Sequence, residues 1–229
     1  MRILALDAAL GRCSAAVMAD GVVLAHEAVA GMRGQPAVLA PMVARVLAAG
    51  GLAAPGLVAP GLVALGLDGI AVTVGPGSFA GLRASIALAQ GLALAAGCPV
   101  VGVRVGEALA EAVTVRPGWA LWVAIDSRRN RIFLDRDGTI EAVAVTALPR
   151  PPGPVAVAGD AALEVVSRLA ARGGKVMLCD ERLPDAVAVA RVGARRLAGM
   201  VPPLPAQPLY IDPPEAKLPA GGLRPPPHV

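Results

Sequence analysis

The residues best placed to do chemistry form one nonapeptide, residues 75–83, with the sequence GPGSFAGLR. It joins a run of strand-forming residues to a long apolar run, which predicts a strand, a tight turn and a helix. Gly75 and Gly77 can take positive φ, and Ser78 can accept a hydrogen bond from a free N–H group at the helix start. Because helix N-termini attract anions, we consider Gly75, Gly77, Ser78 and Arg83 as candidates for contact with a phosphate.

The nonapeptide does not match the established phosphate-binding motifs. A P-loop has the pattern GxxxxGK followed by Ser or Thr, and no lysine follows the glycines here. A dinucleotide-binding fingerprint has the pattern GxGxxG, whereas the glycines here stand at positions 75, 77 and 81. The nonapeptide is therefore predicted first as a structural turn, and contact with an anion is the second interpretation.

Two aspartates, Asp7 and Asp126, each end a strand-like run. Each is followed by a short loop, a second strand and a hairpin turn, at Asp20-Gly21 and at Asp137-Gly138. This internal repetition predicts two similar lobes, with Asp7 and Asp126 facing each other across a cleft. The alternative is that two hairpins simply look alike, because Asp-Gly turns are common.

A cleft between two lobes could bind a nucleotide phosphate and its metal, so phosphotransfer is one candidate function. Phosphoryl transfer requires positioned positive charge or metal ligands. The three residues after Asp7 are Ala8, Ala9 and Leu10, which offer no donor side chains, and the first cation is Arg12. The sequence therefore gives this function little support.

Metal-binding and disulfide patterns are also missing from the sequence. The two histidines, His26 and His228, form no metal-binding pair, and the three cysteines are far apart, with no CxxC motif. We therefore expect no metal, no cofactor and no disulfide framework. An odd number of scattered cysteines fits a reducing cytoplasm.

Composition indicates a globular α/β protein. Of 229 residues, 55% are hydrophobic and 17% charged, and the net charge is +4. The arginines stand in short local groups, so the sequence alone gives no support for direct binding to nucleic acid. Ala84–Val103 is uncharged over a length that could span a membrane, but Gly97 and Pro99 divide it into a helix and a strand, so we expect no membrane segment.

The pattern of elements predicts two lobes and a tail. Three antiparallel strands open the chain, followed by a helix over residues 35–49 and then alternating strands and helices. The predicted domains are an N-terminal lobe over residues 1–115, a smaller lobe over 116–212 and a Pro-rich tail over 213–229, predicted to be disordered. Ala54–Val58 is repeated as Ala59–Val63, which predicts a surface connection.

Two helices carry more hydrophobic residues than one packing face requires. Residues 37–47 contain Arg45 as their only charge, and residues 82–96 are apolar almost all round. If one face of each helix packs on its own sheet, the other could bind a partner; the alternative is an interior helix of a larger core. The candidate partner-interface residues are Val38, Leu39, Met42, Val43, Val46, Leu82, Ile86, Leu88, Ala89 and Leu92.

From Met1 to about Lys217, the chain resembles the TsaB (YeaZ) family of tRNA threonylcarbamoyladenosine biosynthesis proteins. The nonapeptide, followed by Gln90-Gly91-Leu92, is the most specific part of this resemblance. The other parts are Ile3-Leu4-Ala5-Leu6-Asp7, Ala124-Ile125-Asp126-Ser127-Arg128-Arg129, Gly159-Asp160 and Pro208-Leu209-Tyr210.

The resemblance implies a two-lobed fold of the actin and sugar-kinase (ASKHA) type, with duplicated mixed-sheet lobes, in a protein that is not itself catalytic. Family members pair with the catalytic subunit TsaD through two helices, which correspond here to residues 35–47 and 79–96. An ATPase, TsaE, joins the pair, and the complex modifies the adenosine next to the anticodon of tRNAs that read codons beginning with A. A homodimer through the same helices is implied when the partner is absent. The alternative function is an ATP-dependent phosphotransferase or a peptidase-like enzyme of the same fold superfamily.

The sequence departs from the family pattern at four places. The family usually has Thr-Ser after the first aspartate, where this chain has Ala8-Ala9. It usually has His, Thr and Arg where this chain has Gln35, Ala80 and Asp212. Loss of the hydroxyl groups weakens a nucleotide site in the cleft and leaves the pairing role untouched, although loss of the His could alter how the first helix meets its partner.

Overall fold

The computed structural model describes residues 1–31, 35–52 and 66–211. The predicted surface connection with the repeat Ala54–Val63 lies outside the described residues, as does the predicted disordered tail, Pro213–Val229.

The first sheet has five strands in the order β3-β2-β1-β4-β5. The first three strands are antiparallel, and Asp20 and Gly21 form their hairpin turn with φ of 47° and 82°. The predicted opening of three antiparallel strands is confirmed by these pairings. The last two strands of the sheet, β4 and β5, run parallel to β1. The strands are β1 (Arg2–Asp7), β2 (Arg12–Ala19), β3 (Val22–Ala30), β4 (Gly69–Gly75) and β5 (Val100–Arg104).

Two helices cover one face of this sheet, α1 (Gln35–Ala49) and α2 (Phe79–Ala96), and a third, α3 (Val105–Ala112), follows β5. The Ser78 side chain accepts a hydrogen bond from the Gly81 N–H and so caps α2, as predicted. At the other end of α2, Gly97 adopts the left-handed conformation that terminates many helices.

The second sheet repeats the topology of the first. Its order is β10-β9-β6-β7-β8, so β6 corresponds to β1, β7 to β2 and β9 to β4. The turn at Asp137-Gly138 matches that at Asp20-Gly21, and Gly75 and Gly159, at the ends of matching strands, have φ of 114° and 103°. The predicted duplicated, two-lobed ASKHA-type fold is confirmed. The strands are β6 (Ala120–Asp126), β7 (Arg131–Arg136), β8 (Thr139–Ala144), β9 (Val155–Ala158) and β10 (Val176–Leu178).

The two helices of the second half pack on different lobes. α4 (Ala162–Ala171) packs on the second sheet, whereas α5 (Ala186–Leu197) packs on the first. A Cβ at Gly193 would overlap the Ala71 side chain, so this glycine lets α5 approach β4 closely. The range predicted for the smaller lobe, 116–212, therefore contains a helix that belongs to the core of the first lobe.

One of the buried apolar clusters contains residues of both lobes. A C-terminal strap, residues 200–211, closes one end of the first lobe. Val123 and Ile125 of β6 belong to the same buried cluster as side chains of β1, α1 and α2. In the strap, the Leu204 carbonyl accepts from Gly102 N–H, and Leu209 N–H donates to the Val74 carbonyl. The strap thus lies across the C-terminal ends of β4 and β5.

Candidate functional site

The turn before α2 is packed tightly against the loop that follows β1. Gly75 takes the predicted positive φ, but the φ of Gly77 is not positive, so that prediction was wrong for Gly77. Gly77 is required for a different reason, because a Cβ there would overlap the carbonyl oxygen of Ala9. The Ser78 N–H donates to the same carbonyl at 2.7 Å. The nonapeptide is therefore a structural turn that joins two loops, and its contact with an anion stays a prediction.

We expect Gly77→Ala to destabilise the chain by roughly 2 kcal/mol or more, because the new methyl group must displace backbone that is hydrogen-bonded. Gly91→Ala is the control, since a Cβ at this helical position meets nothing within 4 Å. It is expected to stabilise α2 by about 0.5–1 kcal/mol. Urea denaturation of both variants measures the difference, and equal stabilities would contradict the tight contact between the loops.

Arg83 is held by two aromatic side chains at the N-terminal end of α2. Its guanidinium carbon lies 3.8 Å from the centre of the Phe79 ring. Its Nε and Nη2 donate to the Tyr210 hydroxyl at 3.3 and 3.2 Å. Phe79 and Tyr210 are more than half exposed, so this cluster fixes the strap to α2 at the surface.

Asp7 is completely buried at the end of β1. Its Oδ1 accepts hydrogen bonds from the Thr73 hydroxyl at 2.8 Å and from the Ala9 N–H at 3.1 Å. Its Oδ2 is buried without a hydrogen-bond partner among the described residues. Burial is the main cause that raises the pKa of Asp7 to about 7, against the lowering effect of these hydrogen bonds and of Arg12.

Asp126, the matching residue of the second lobe, is in a different environment. Its side chain is 44% exposed, and its Oδ1 accepts from the Arg128 N–H at 2.8 Å. Ala8, Ala9 and Leu10 belong to the apolar core that also contains Val123 and Ile125. The prediction that Asp7 and Asp126 face each other across a cleft is corrected, because the Asp7 side chain is completely buried whereas that of Asp126 is partly exposed.

A cavity of about 450 Å³ lies away from Asp7 and Asp126, between the β7–β8 turn, the start of α3 and the strap. Its polar side chains bind one another, since Glu107 accepts from both Arg104 and Arg196, at 3.3 and 2.7 Å. Arg196 also donates to the Gly102 and Pro202 carbonyls at 2.6 and 2.7 Å. Among the described residues, no group of three or more His, Cys, Asp or Glu side chains could hold a metal ion.

Most of the side chains predicted to bind a partner are buried in the core of this chain. The prediction that they form the partner interface is therefore wrong for these residues. The helices were placed correctly, but the apolar residues around them did not show which side faces outward. Val38 is 39% exposed and Leu88 is half-buried. The eight buried residues are Leu39, Met42, Val43, Val46, Leu82, Ile86, Ala89 and Leu92.

A different set of side chains faces outward from α1 and α2, which lie side by side on the same face of the first sheet. On α2, Leu94 is 86% exposed, and the exposed small residues Ala80, Ala87 and Gly91 lie on the same side of the helix by their spacing. The helix α1 also exposes small apolar residues. We call this set the outer helix surface. Its members are Ala37, Val38, Ala40, Pro41, Ala48, Ala80, Ala87, Gly91 and Leu94.

By length and composition, α2 could also cross a membrane. Seven of its residues are buried in the protein, however, and the helix ends at Gly97 before β5 begins. The structure therefore agrees with the interpretation of Ala84–Val103 as a helix followed by a strand.

Sequence reasoning missed three groups of residues at these sites. Leu94 was overlooked because its exposure follows from which side of α2 packs inward. Thr73, the donor to Asp7, carries no motif of its own. The spacing of Arg104 and Glu107, three residues apart at a helix start, was the one signal available for the Glu107 network.

Comparison with known proteins agrees with the resemblance found in the sequence. The family described as TsaD, tRNA N6-adenosine threonylcarbamoyltransferase, matches residues 57–174, slightly more than half of the chain. The tRNA threonylcarbamoyladenosine biosynthesis protein TsaB of Escherichia coli K12 is 35% identical over 134 residues, 58% of this chain and 53% of that protein. The protein of the same name from Haemophilus influenzae is 31% identical over 137 residues, 59% of this chain and 53% of its own length. The chain thus spans about half the length of the curated relatives it matches.

Solved structures extend the likeness to nearly the whole chain. YeaZ from Pseudomonas aeruginosa has a TM-score of 0.71 and 27% identity, over 91% of this chain and 99% of that one. A second P. aeruginosa structure, described as similar to the peptidase YeaZ, has a TM-score of 0.73 and 26% identity, over 92% and 99% of the two chains. Together with the fold and the family match, these likenesses show that the chain belongs to the TsaB (YeaZ) group of the tRNA N6-adenosine threonylcarbamoyltransferase family.

Proposed function

We propose that this chain is a non-catalytic subunit in the biosynthesis of threonylcarbamoyladenosine in tRNA. It binds a TsaD-family catalytic subunit through the outer helix surface and supports transfer of the threonylcarbamoyl group to the adenosine next to the anticodon. The tRNAs concerned read codons that begin with A. The observation that carries this proposal is the exposed apolar surface of α1 and α2 in a chain of this family.

The chemistry of the outer helix surface suits helix pairing. Leu94 is a large apolar side chain that is 86% exposed, and Gly91 and Ala87 stand three and seven residues before it, on the same side of α2. Small side chains let a second helix approach closely, so a partner can bury Leu94 against its own helices. Since α1 and α2 lie side by side, two partner helices can complete a four-helix bundle.

The surroundings of Asp7 support a role without catalysis. A phosphoryl-transfer site needs a carboxylate that can reach metal or substrate, together with donors aimed at the phosphate. Asp7 is buried, and Ala8 and Ala9 after it supply only apolar side chains. The surroundings of Asp7 therefore give no support to the phosphotransferase and peptidase-like alternatives.

The remaining members of the assembly follow from the same role. A TsaE-family ATPase joins the pair, tRNA reaches the chain through the complex, and a homodimer uses the outer helix surface when the catalytic subunit is absent. A cytoplasmic location suits this function, and the three cysteines, Cys13, Cys98 and Cys179, are free thiols.

Reconstitution with the TsaD-family protein from the same genome tests the proposal. Size-exclusion chromatography with light scattering should show a one-to-one complex. Transfer of threonylcarbamoyl from its adenylate to a tRNA transcript should require both proteins, and this chain alone should hydrolyse no ATP. Absence of a complex, together with ATP hydrolysis by this chain alone, would support the enzyme alternative instead.

A further inference from the structure

Three parallel strands of the second sheet begin at the same edge. β9 lies between β6 and β10, and all three run in one direction. Backbone hydrogen bonds tie their starts together, from the Ala120 N–H to the Pro154 carbonyl and from the Val155 N–H to the Lys175 carbonyl, each 3.0 Å long. The loops that precede the three strands therefore meet, although they are far apart in the sequence.

Each of these loops brings exposed positive charge to the edge. Arg116 precedes β6, Arg150 precedes β9, and Arg172 and Lys175 precede β10. All four side chains are exposed, and in the part of the chain that the structure describes none of them forms an ion pair. We call these four residues the basic edge.

Most other arginines lie beside a carboxylate. Glu107 binds two of them, and exposed or half-exposed pairs hold Arg45, Arg136, Arg168 and Arg195. Against a net charge of only +4, four cations without acidic partners at one edge are a local concentration of positive charge.

Two contacts give the basic edge a defined geometry. The half-buried ring of Trp119 has the Arg116 guanidinium carbon at 5.9 Å and the Lys175 Nζ at 5.7 Å from its centre, so cation–π attraction holds these two charges near each other. Arg172 donates to the Leu148 and Thr146 carbonyls at 2.8 and 3.0 Å, which fixes the loop that carries Arg150.

We propose that the basic edge binds the phosphate backbone of RNA. Exposed arginine and lysine side chains without acidic partners bind phosphodiesters through charge, and several of them along one edge match a chain of phosphates. A membrane surface fits less well, because membrane-binding segments also expose large apolar side chains, whereas Trp119 is half-buried. The identification of this RNA as tRNA rests on the proposed function. The binding of RNA phosphates is argued from the basic edge alone and does not rest on that function.

The test compares two triple variants of the full chain with equal net charge. The first carries Arg116→Gln, Arg150→Gln and Lys175→Gln, and it keeps Arg172 because that side chain supports a loop. The control carries Arg2→Gln, Arg182→Gln and Arg191→Gln, which lie away from the basic edge. Fluorescence anisotropy measures binding to a labelled tRNA transcript between about 50 and 200 mM salt, and circular dichroism checks folding.

In the first variant only, we expect the affinity for tRNA to fall by a factor of about 10 or more. The slope of log binding constant against log salt concentration should also become shallower by about 2. Equal losses in both variants, or no loss in the first, would overturn the proposal. Binding to phosphatidylserine vesicles with no binding to tRNA would overturn it as well. If the first variant still forms the TsaD-family complex but loses tRNA, both proposals hold; if wild type binds tRNA through this edge but forms no such complex, only the proposed function fails.

Discussion

Replacement of Leu94 by glutamate is expected to abolish the complex with the TsaD-family subunit and to leave the free chain folded. Leu94 is 86% exposed, so the charge costs little in the monomer. In the complex the carboxylate would be buried without a partner, a change that costs about 3 kcal/mol or more. Isothermal titration calorimetry should therefore show affinity at least about 100-fold weaker.

Leu163 provides a matched control for this experiment. It is also a leucine exposed on a helix, at 59%, but it lies on α4 of the second lobe. Leu163→Glu should leave the affinity for the partner unchanged. If Leu94→Glu binds like wild type, or if Leu163→Glu loses as much affinity, the partner surface is not the outer helix surface.

Val43 shows why the choice of side chain matters. The sequence pattern predicts it as an interface residue, yet it is only 3% exposed and packs in the main core. A glutamate at this position would lose binding because the chain unfolds. Only an exposed position such as Leu94 separates binding from folding.

Features that depend on residues close together in the sequence could be predicted, whereas features that depend on residues far apart in the sequence could not. Hairpins depend on neighbouring residues, so Asp20-Gly21 and Asp137-Gly138 were found from local chemistry. Their repetition predicted two lobes, and the matching strand orders confirm it. The Ser78 cap was predicted for the same reason, because a cap acts within three residues of chain.

Long-range packing decides what the sequence did not show. An apolar helix such as α2 has no polar stripe to mark its outer side, so the sequence pattern predicts a partner surface from residues that are buried. The basic edge combines residues from positions 116 to 175, which only the parallel pairing of β6, β9 and β10 brings together. The main core likewise combines Ala8 and Ala9 with Val123 and Ile125, more than a hundred residues away in the sequence.

The stability of the chain is expected to fall as pH rises from about 5 to about 8.5, with Asp7 as one main cause. Burial raises the pKa of Asp7 from its ordinary value of 3.8 to about 7, so the folded state favours the protonated carboxyl. Its contribution is therefore complete below pH 3.8, decreases as pH rises toward 7 and is lost above that value. At 1.36 kcal/mol per pKa unit, the loss over this range is about 2–3 kcal/mol.

Asp7→Asn removes this dependence, because the amide does not titrate and its oxygen can still accept from Thr73 and from the Ala9 N–H. Urea denaturation at about pH 5 and pH 8.5 should show a smaller loss of unfolding free energy in the variant than in wild type. Burial also raises the pKa values of Asp135 and Asp160, so some pH dependence remains in both proteins. Equal pH dependence in wild type and Asp7→Asn would show that Asp7 is charged in the folded chain near neutral pH, and a buried charge of that kind would need a cation beside the unpaired Oδ2.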